Sequence, residues 1–363
     1  MQPIVVKLGS SVVADAEGRV RSEVISSVAS DVTALIAAGT EVVLVSSGAI
    51  ARGVDALGLS ERPKAVDELQ AASAVGQAAM FRAWEVELAR HGMVAAQVLL
   101  TLHDIEDRSS NLSIKATLRR LLSWGVVPVI NENDTTTTEE ITFGDNDLLA
   151  AQVAIMLDAG LVVLLTDAEG LHESDPREDP DSPVITEVSS FDRIASVAIG
   201  QRPGEHGSGG MRSKVVAAEM ATSAGIETVV APGARPGAVR MAAGRESIGT
   251  RFLASAERHN SFKGWLRYAK ATEGRIEVDE GAARALREQG TSLLPVGVIG
   301  VEGQFEAGDA VEVVHADAVI GKGLVSFSAE ELRLVAGMKT AAVRDLLPRA
   351  AEEAVHRDRF VLA

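Results

Sequence analysis

The strongest constraint on this chain is a repeated alternation in its first part. Short unbroken apolar runs take turns with longer segments of helical periodicity. The runs are Ile4-Val5-Val6, Val42-Val43-Leu44-Val45, Val126-Val127-Pro128-Val129-Ile130 and Leu161 to Leu165, and Val94 to Leu100 and Ile226 to Val230 also read as strands. Between them, Val24, Val28, Val32, Leu35 and Ile36 fall on one helical face, and Lys64 to Arg90, Arg108 to Trp124, Leu148 to Leu157 and Met211 to Ala224 read as helices. An apolar run without polar alternation suits a strand covered on both faces. Strands separated by helices are joined by right-handed crossovers into a mainly parallel sheet. Residues 1–250 are therefore expected to form one α/β domain, a three-layer αβα sandwich.

The pattern changes after Gly249. Residues 251–271 hold Arg251, Arg258, Lys263, Arg267 and Lys270 and read as a linker. Beyond them come short Gly-separated strands (GRIEV, PVGVIGVEG, EAGDAVEVV, IGKGLVSFS) with one helix near Glu280–Gln289. A small β-rich domain is expected over 272–353, and 363 residues suffice for two domains. The polar, Pro-rich run ESDPREDPDSP at 173–183 reads as a surface loop.

Composition removes several classes of function. There is no cysteine, so disulfides, thiolate metal sites and cysteine nucleophiles are excluded. The net charge of −16 has the wrong sign for tracking nucleic-acid phosphates. Lys7 interrupts the N-terminal apolar run, which does not read as a secretory signal, and no apolar stretch reaches membrane-spanning length. A cytoplasmic protein is expected.

Chemistry-bearing residues gather just after the strand-like runs, where open α/β sheets bind ligands. VVKLGSS (5–11) puts a lysine before a glycine and two serines, a possible phosphate contact; taken alone, an edge lysine and an ordinary turn fit better. In VSSGAIARG (45–53), Ser46, Ser47 and Gly48 stand at a helix start, which suits either an anion site or a plain cap. NEND (131–134) and FGDNDLLAA (143–151) bring Asn131, Asp134, Asp145, Asn146 and Asp147 to either side of a Thr-rich loop. Each could be turn chemistry; together they point to a polar ligand. HGSGGMRSK (206–214) looks phosphate-binding yet matches neither a Walker A loop nor a dinucleotide fingerprint. LLTDAEGL (164–171) ends a strand at Thr166 and Asp167.

Taken in order, VVKLGSS, VSSGAIARG, VPVINEND, FGDND, LLTDAEGL and GSGGMRSK resemble the motifs of the glutamate 5-kinase family of the amino-acid kinase superfamily, and the C-terminal segment resembles a PUA domain. The likeness spans essentially the whole chain. It implies the amino-acid kinase fold and transfer of a phosphoryl group from ATP, with Mg²⁺, to the side-chain carboxylate of L-glutamate, opening proline biosynthesis. It places Lys7 and Lys214 on the phosphates, with Asp147 organising the two lysines. It puts Ser47, Gly48, Asn131, Asp134, Asp145 and Asn146 on glutamate. Nucleotide contacts fall on Lys7, Thr166, Asp167, Ser208, Gly209, Gly210, Met211, Arg212, Ser213 and Lys214. No resident metal site is implied. A homo-oligomer and feedback inhibition by proline are expected, with no membrane or nucleic-acid partner. Leu148-Leu149-Ala150 departs from relatives that carry Ser before the Ala, and Ser213 stands where Thr is common.

The INEND–GDND pairing argues against the acetylglutamate, aspartate, carbamate and uridylate kinases of the same fold. An RNA-binding role through the C-terminal domain is the alternative from another class. Residues 271–350 hold 8 basic against 13 acidic side chains, a balance of −5, which opposes it.

Overall fold

The computed structural model describes residues 2–15, 17–136, 145–191, 194, 210–255, 266, 272–316, 318–347 and 351–362, apart from the side chains of residues 103, 106, 108, 145, 345 and 358. The chain divides into two compact units, Met1–Arg258 and His259–Ala363.

In the first unit the elements run β1 (Ile4–Leu8), α1 (Ser10–Val13), α2 (Ser22–Ala37), β2 (Val42–Val45), α3 (Ala49–Ala56), α4 (Val66–Arg90) and β3 (Val94–Leu100). Then follow α5 (Leu102–Glu106), α6 (Arg108–Ser123), β4 (Val126–Glu132), α7 (Asp145–Met156), β5 (Leu161–Thr166) and β6 (Glu187–Val188). The unit closes with α8 (Met211–Ser223), β7 (Glu227–Pro232), α9 (Ala238–Ala243) and β8 (Thr250–Phe252). Eight strands form one sheet in the order β3-β4-β2-β1-β5-β7-β8-β6. β1 to β5 and β7 are parallel, while β8 and the short β6 run against them. β1, β2 and β5 are buried along their whole length, as continuous apolar strands between two helical layers must be. β3, at the edge, is only partly buried.

The topology also opens a crevice. From β1 the chain moves to β2 on one side, and it later returns to β5 on the other. Crossovers leaving adjacent strands in opposite directions open a gap at their carboxyl ends. Lys7 and Thr166 stand at those ends of β1 and β5.

α7 begins at Asp145, three residues before the apolar pattern that marks it in sequence. Polar Asp and Asn carry no hydrophobic periodicity, yet carboxylates suit the positive end of a helix. Asp145, Asn146 and Asp147 therefore form the first turn of a helix.

The second unit holds a five-stranded sheet in the order β10-β9-β11-β12-β13, with β9 (Gly274–Val278), β10 (Val298–Gly303), β11 (Ala310–His315), β12 (Ala318–Val325) and β13 (Val355–Leu362). β9 and β11 are parallel; the other pairs are antiparallel. Ile276, Val311, Val313, Phe327, Leu332 and Val355 lie in its core. The sequence predicts one helix in this unit. Among the described residues from Gly274 on, α-helices lie at Glu280–Arg284, Ala329–Val335 and Thr340–Leu346, and the first continues as a π turn over Ala285–Gln289. The two extra helices span 7 residues each, too short for periodicity to declare itself, although a capping box of Ser328 and Glu331 marks one of them. Among the described residues no helix is long and apolar enough to cross a membrane.

Candidate active site

Strand periodicity assigns each residue of β1 to a face. Val6 and Leu8 join the core against α2, α4 and α9. Val5 and Lys7 therefore face the other layer, where α7 packs against α8. There Lys7 Nζ meets Asp147 Oδ1 at 2.5 Å, and Lys214 Nζ meets Asp147 Oδ2 at 3.2 Å. The Ser213 hydroxyl lies 2.7 Å from Asp147 Oδ2 and 2.8 Å from the Gly210 carbonyl. Asp147 is fully buried, and both lysines are nearly so. Burial alone would raise the Asp147 carboxyl. The charges of Lys214 and Lys7, with hydrogen bonds from Lys7 and Ser213, outweigh it and hold the group at about 2. Asp147 and Lys214 stand in the first turns of α7 and α8. A helix N-terminus favours an anion and disfavours a cation. Lys214 is thus held against its own helix dipole by Asp147, and a second anion nearby would be welcome.

A second cluster spans the carboxyl ends of β2 and β4. Here the direction of the hydrogen bonds can be worked out from one end. The Glu132 backbone N–H can only donate, and it reaches Asn146 Oδ1 at 3.2 Å. The Asn146 amide hydrogens then point to Ser47 Oγ at 3.1 Å and Asn131 Oδ1 at 3.0 Å. Asn131 must turn its own NH₂ outward, and it donates to Gln77 Oε1 at 2.7 Å. Ser47 accepts from Asn146, so its hydroxyl hydrogen is left to donate. Half-buried Asp134 accepts a hydrogen bond from Ser73. Burial raises its carboxyl, and the Ser73 hydrogen bond and the charge of Arg62 pull the other way.

The cluster thus has a donor pole at Ser47 and an acceptor pole at Asp134. That is the pattern an α-amino acid presents in reverse. Gly48, at a left-handed φ of 95°, turns the chain from β2 into α3; a Cβ there would meet Val13 Cγ2 at 2.9 Å.

Sequence reasoning missed Arg62, Ser73, Gln77 and Trp84. The last three lie on α4, which reaches the site because it crosses α3 at glycines. A Cβ on Gly53 would sit 1.7 Å from the Ala72 carbonyl oxygen, and one on Gly76 would sit 1.9 Å from that of Ala49. The indole N–H of Trp84, fully buried, donates to Ser46 Oγ at 2.9 Å and braces the strand end beside Ser47. Small residues at 53, 72, 73 and 76 are the signal that could have shown the crossing.

Thr166 is buried at the end of β5, with its hydroxyl 3.1 Å from Asp167 Oδ1; Asp167 is exposed. Gly9 N–H donates to the Leu165 carbonyl at 3.2 Å and ties the turn after β1 to the same strand end. Gly210, Met211 and Arg212 open α8, with Arg212 exposed. Ser208, Gly209 and the Thr137–Glu140 part of the Thr-rich loop lie outside the described residues, as does the side chain of Asp145.

Comparison with known proteins supplies the remaining observations. Residues 2–232 match the amino acid kinase family, and residues 274–347 match the PUA domain. The glutamate 5-kinase of Meiothermus ruber is 44% identical over 362 residues, 99% of this chain and 95% of its own. That of Pelobacter propionicus is 43% identical over 361 residues, 99% of this chain and 97% of its own. The T. acidophilum isopentenyl phosphate kinase in its product complex is similar in fold, with a TM-score of 0.50 at 18% identity, covering 69% of this chain and 99% of that one.

Proposed function

The chain belongs to the amino acid kinase family and, within it, to the glutamate 5-kinases, and from that membership we propose how its two clusters divide the reaction. The enzyme transfers the γ-phosphoryl group of ATP to the side-chain carboxylate of L-glutamate, giving ADP and L-glutamyl 5-phosphate, the first step of proline synthesis. The observation that carries the assignment of roles is Asp147, held between two buried lysines with one carboxylate oxygen each.

A carboxylate is already ionised at pH 7, so the reaction needs no general base. The obstacle is to bring two anions together and hold them in line. Lys7, Lys214 and Asp147 together carry one net positive charge in a buried setting, where charge acts strongly. They offset the charge that spreads over the transferring phosphoryl oxygens. Asp147 touches no reacting atom in this scheme; it holds the two ammonium groups apart and aimed. Thr166, Asp167 and the start of α8 take the nucleotide. Mg²⁺ would be carried in on ATP as its MgATP complex and would offset phosphate charge there. Among the described residues no group of three or more acidic or imidazole side chains comes together as a resident metal site.

In the second cluster, Asp134 receives the α-ammonium of glutamate. The Ser47 hydroxyl, with the Asn131 and Asn146 amides behind it, receives the α-carboxylate. Proline has the same α-carboxylate and α-nitrogen but no side-chain carboxylate, so we read it as an inhibitor competing for this subsite.

The test is ADP release with L-glutamate, N-acetyl-L-glutamate, L-aspartate and carbamate side by side, in the parent enzyme and in Lys214→Ala. L-Glutamate should be preferred by a wide margin, and the variant should lose about 10²-fold or more in kcat with a smaller change in glutamate KM. A preference for another acceptor, or near-normal kcat in the variant, contradicts the scheme.

A further inference from the structure

Ser73 stands inside α4, two turns from its start, and is buried, at 3% exposure. Buried hydroxyls inside a helix commonly bond back to the carbonyl one turn earlier. Two other helix hydroxyls do so: half-buried Thr33 donates to the Ala29 carbonyl at 2.7 Å and buried Thr222 to that of Ala218 at 2.8 Å. Ser73 instead sends its single hydrogen out of the helix to Asp134 Oδ2, a residue 61 positions further along the chain. The tight α3–α4 crossing brings it within reach, because Gly53 packs on Ala72 and Gly76 on Ala49 on either side of it.

We propose that Ser73 is a positioning residue of the glutamate subsite: its hydroxyl fixes the Asp134 carboxylate through Oδ2 and leaves Oδ1 to receive the substrate ammonium. This rests on the reading that Asp134 binds that ammonium. The choice of a neutral donor has a physical reason. A cation pressed against Asp134 would cancel the charge that the substrate needs. A hydroxyl stabilises the carboxylate and leaves its charge in place. Among the described charged groups, the one that acts on Asp134 is Arg62, from the loop between α3 and α4, and Ser73 supplies the hydrogen bond that Arg62 does not. Burial works against ionisation of Asp134, so the donor also matters to its charge state.

The experiment is initial-rate kinetics of Ser73→Ala and Asp134→Asn beside the parent enzyme, from about pH 5 to pH 8. Ser73→Ala removes one oxygen and inserts the best helix former, so α4 is kept. ATP KM serves as the check on integrity. Glutamate KM should rise about 10-fold, the usual consequence of losing a hydrogen bond to a charged group, with a far smaller change in kcat. The acid limb of kcat/KM for glutamate should move to higher pH, because a carboxylate without its donor takes up a proton more readily. The ionisations of glutamate itself are common to both enzymes and drop out of the comparison. A limb that coincides with the parent's overturns the proposal even if KM has risen, since a space-filling role would do that much. Asp134→Asn separates the two layers of the argument. If it leaves glutamate KM unchanged, the reading of Asp134 fails; if it raises KM while Ser73→Ala matches the parent, the inference about Ser73 fails alone.

Discussion

Gly76→Ala is the sharpest test of how α4 serves the site. In an ordinary helix interior this change stabilises by about 1 kcal/mol, because Gly is the poorer helix former. Here the added Cβ would lie 1.9 Å from the Ala49 carbonyl oxygen and 2.5 Å from the Gly53 nitrogen. Ordinary contact begins at 3.4 Å, so α4 must withdraw from α3 by about 1.5 Å at this point. The neighbouring Gln77 bonds Asn131 at 2.7 Å; withdrawn that far, the pair passes about 4 Å and is no longer a hydrogen bond. Ser73, one turn earlier, parts from Asp134 in the same movement. Overpacking costs about 1–3 kcal/mol and reverses the usual sign for stability. Two weakened contacts remove about 2 kcal/mol of glutamate binding, roughly 30-fold in KM. The Lys7–Asp147–Lys214 cluster lies on the opposite face of the sheet, so ATP KM should hold. The assay is a two-substrate initial-rate grid with a thermal melt. A folded variant with unchanged glutamate KM, or one whose two KM values rise together, would show that the crossing does not control the subsite.

Gln77→Met keeps the length of the side chain and removes the acceptor for Asn131; glutamate KM should rise about 5- to 10-fold with ATP KM unchanged, and equal effects on both would refute the directed amide chain. Asp147→Asn offers two buried lysines an amide with one acceptor oxygen, so a melt should show a loss of about 3–5 kcal/mol, and turnover should fall below about 1%. The folded Asp147 carboxyl sits at about 2 against an ordinary 3.8, so its contribution is complete above that ordinary value and is lost as pH falls from there towards 2. Across that window the parent should lose about 2 kcal/mol more stability than Asp147→Asn in urea titrations, and parallel acid curves would contradict the coupling.

The central sheet was legible because β1, β2 and β5 are short, nearly continuous apolar runs that alternate with longer helical segments. β6, with two residues, carries too little pattern to read. The candidate site residues at the strand ends could be picked out too, since Lys7, the Ser46-Ser47 pair, Asn131 and Thr166 each break an apolar run at its carboxyl end. What escaped lies on α4. In an Ala-rich helix, Ser73 and Gln77 look like solvent-facing polar residues. Their role depends on a crossing partner, α3, whose approach is set by Gly53 and Gly76. That is tertiary geometry between elements, and periodicity within one element does not encode it. Trp84 escaped for a related reason: it reads as core, which it is, and nothing local says that its N–H supports Ser46.

The distribution of Asn and Asp across the two motifs follows from the charges they face. Asp147 meets two lysines, and in the scheme above Asp134 meets an ammonium; each carboxylate looks at positive charge. Asn131 and Asn146 stand between them, on the side assigned to the substrate carboxylate. An amide there can accept on one side and donate on the other. This lets the fixed Glu132 N–H set the direction of a chain that ends in the Ser47 hydroxyl. A carboxylate at 146 would accept on both sides. It would draw the Ser47 hydrogen back towards itself and place a further negative charge where two anions must already be held together. The enzyme's task is to overcome repulsion between ATP and glutamate. In that scheme Asp134 and Asp147 stand beside cations, and Asn131 and Asn146 offer neutral donors on the side of the anions.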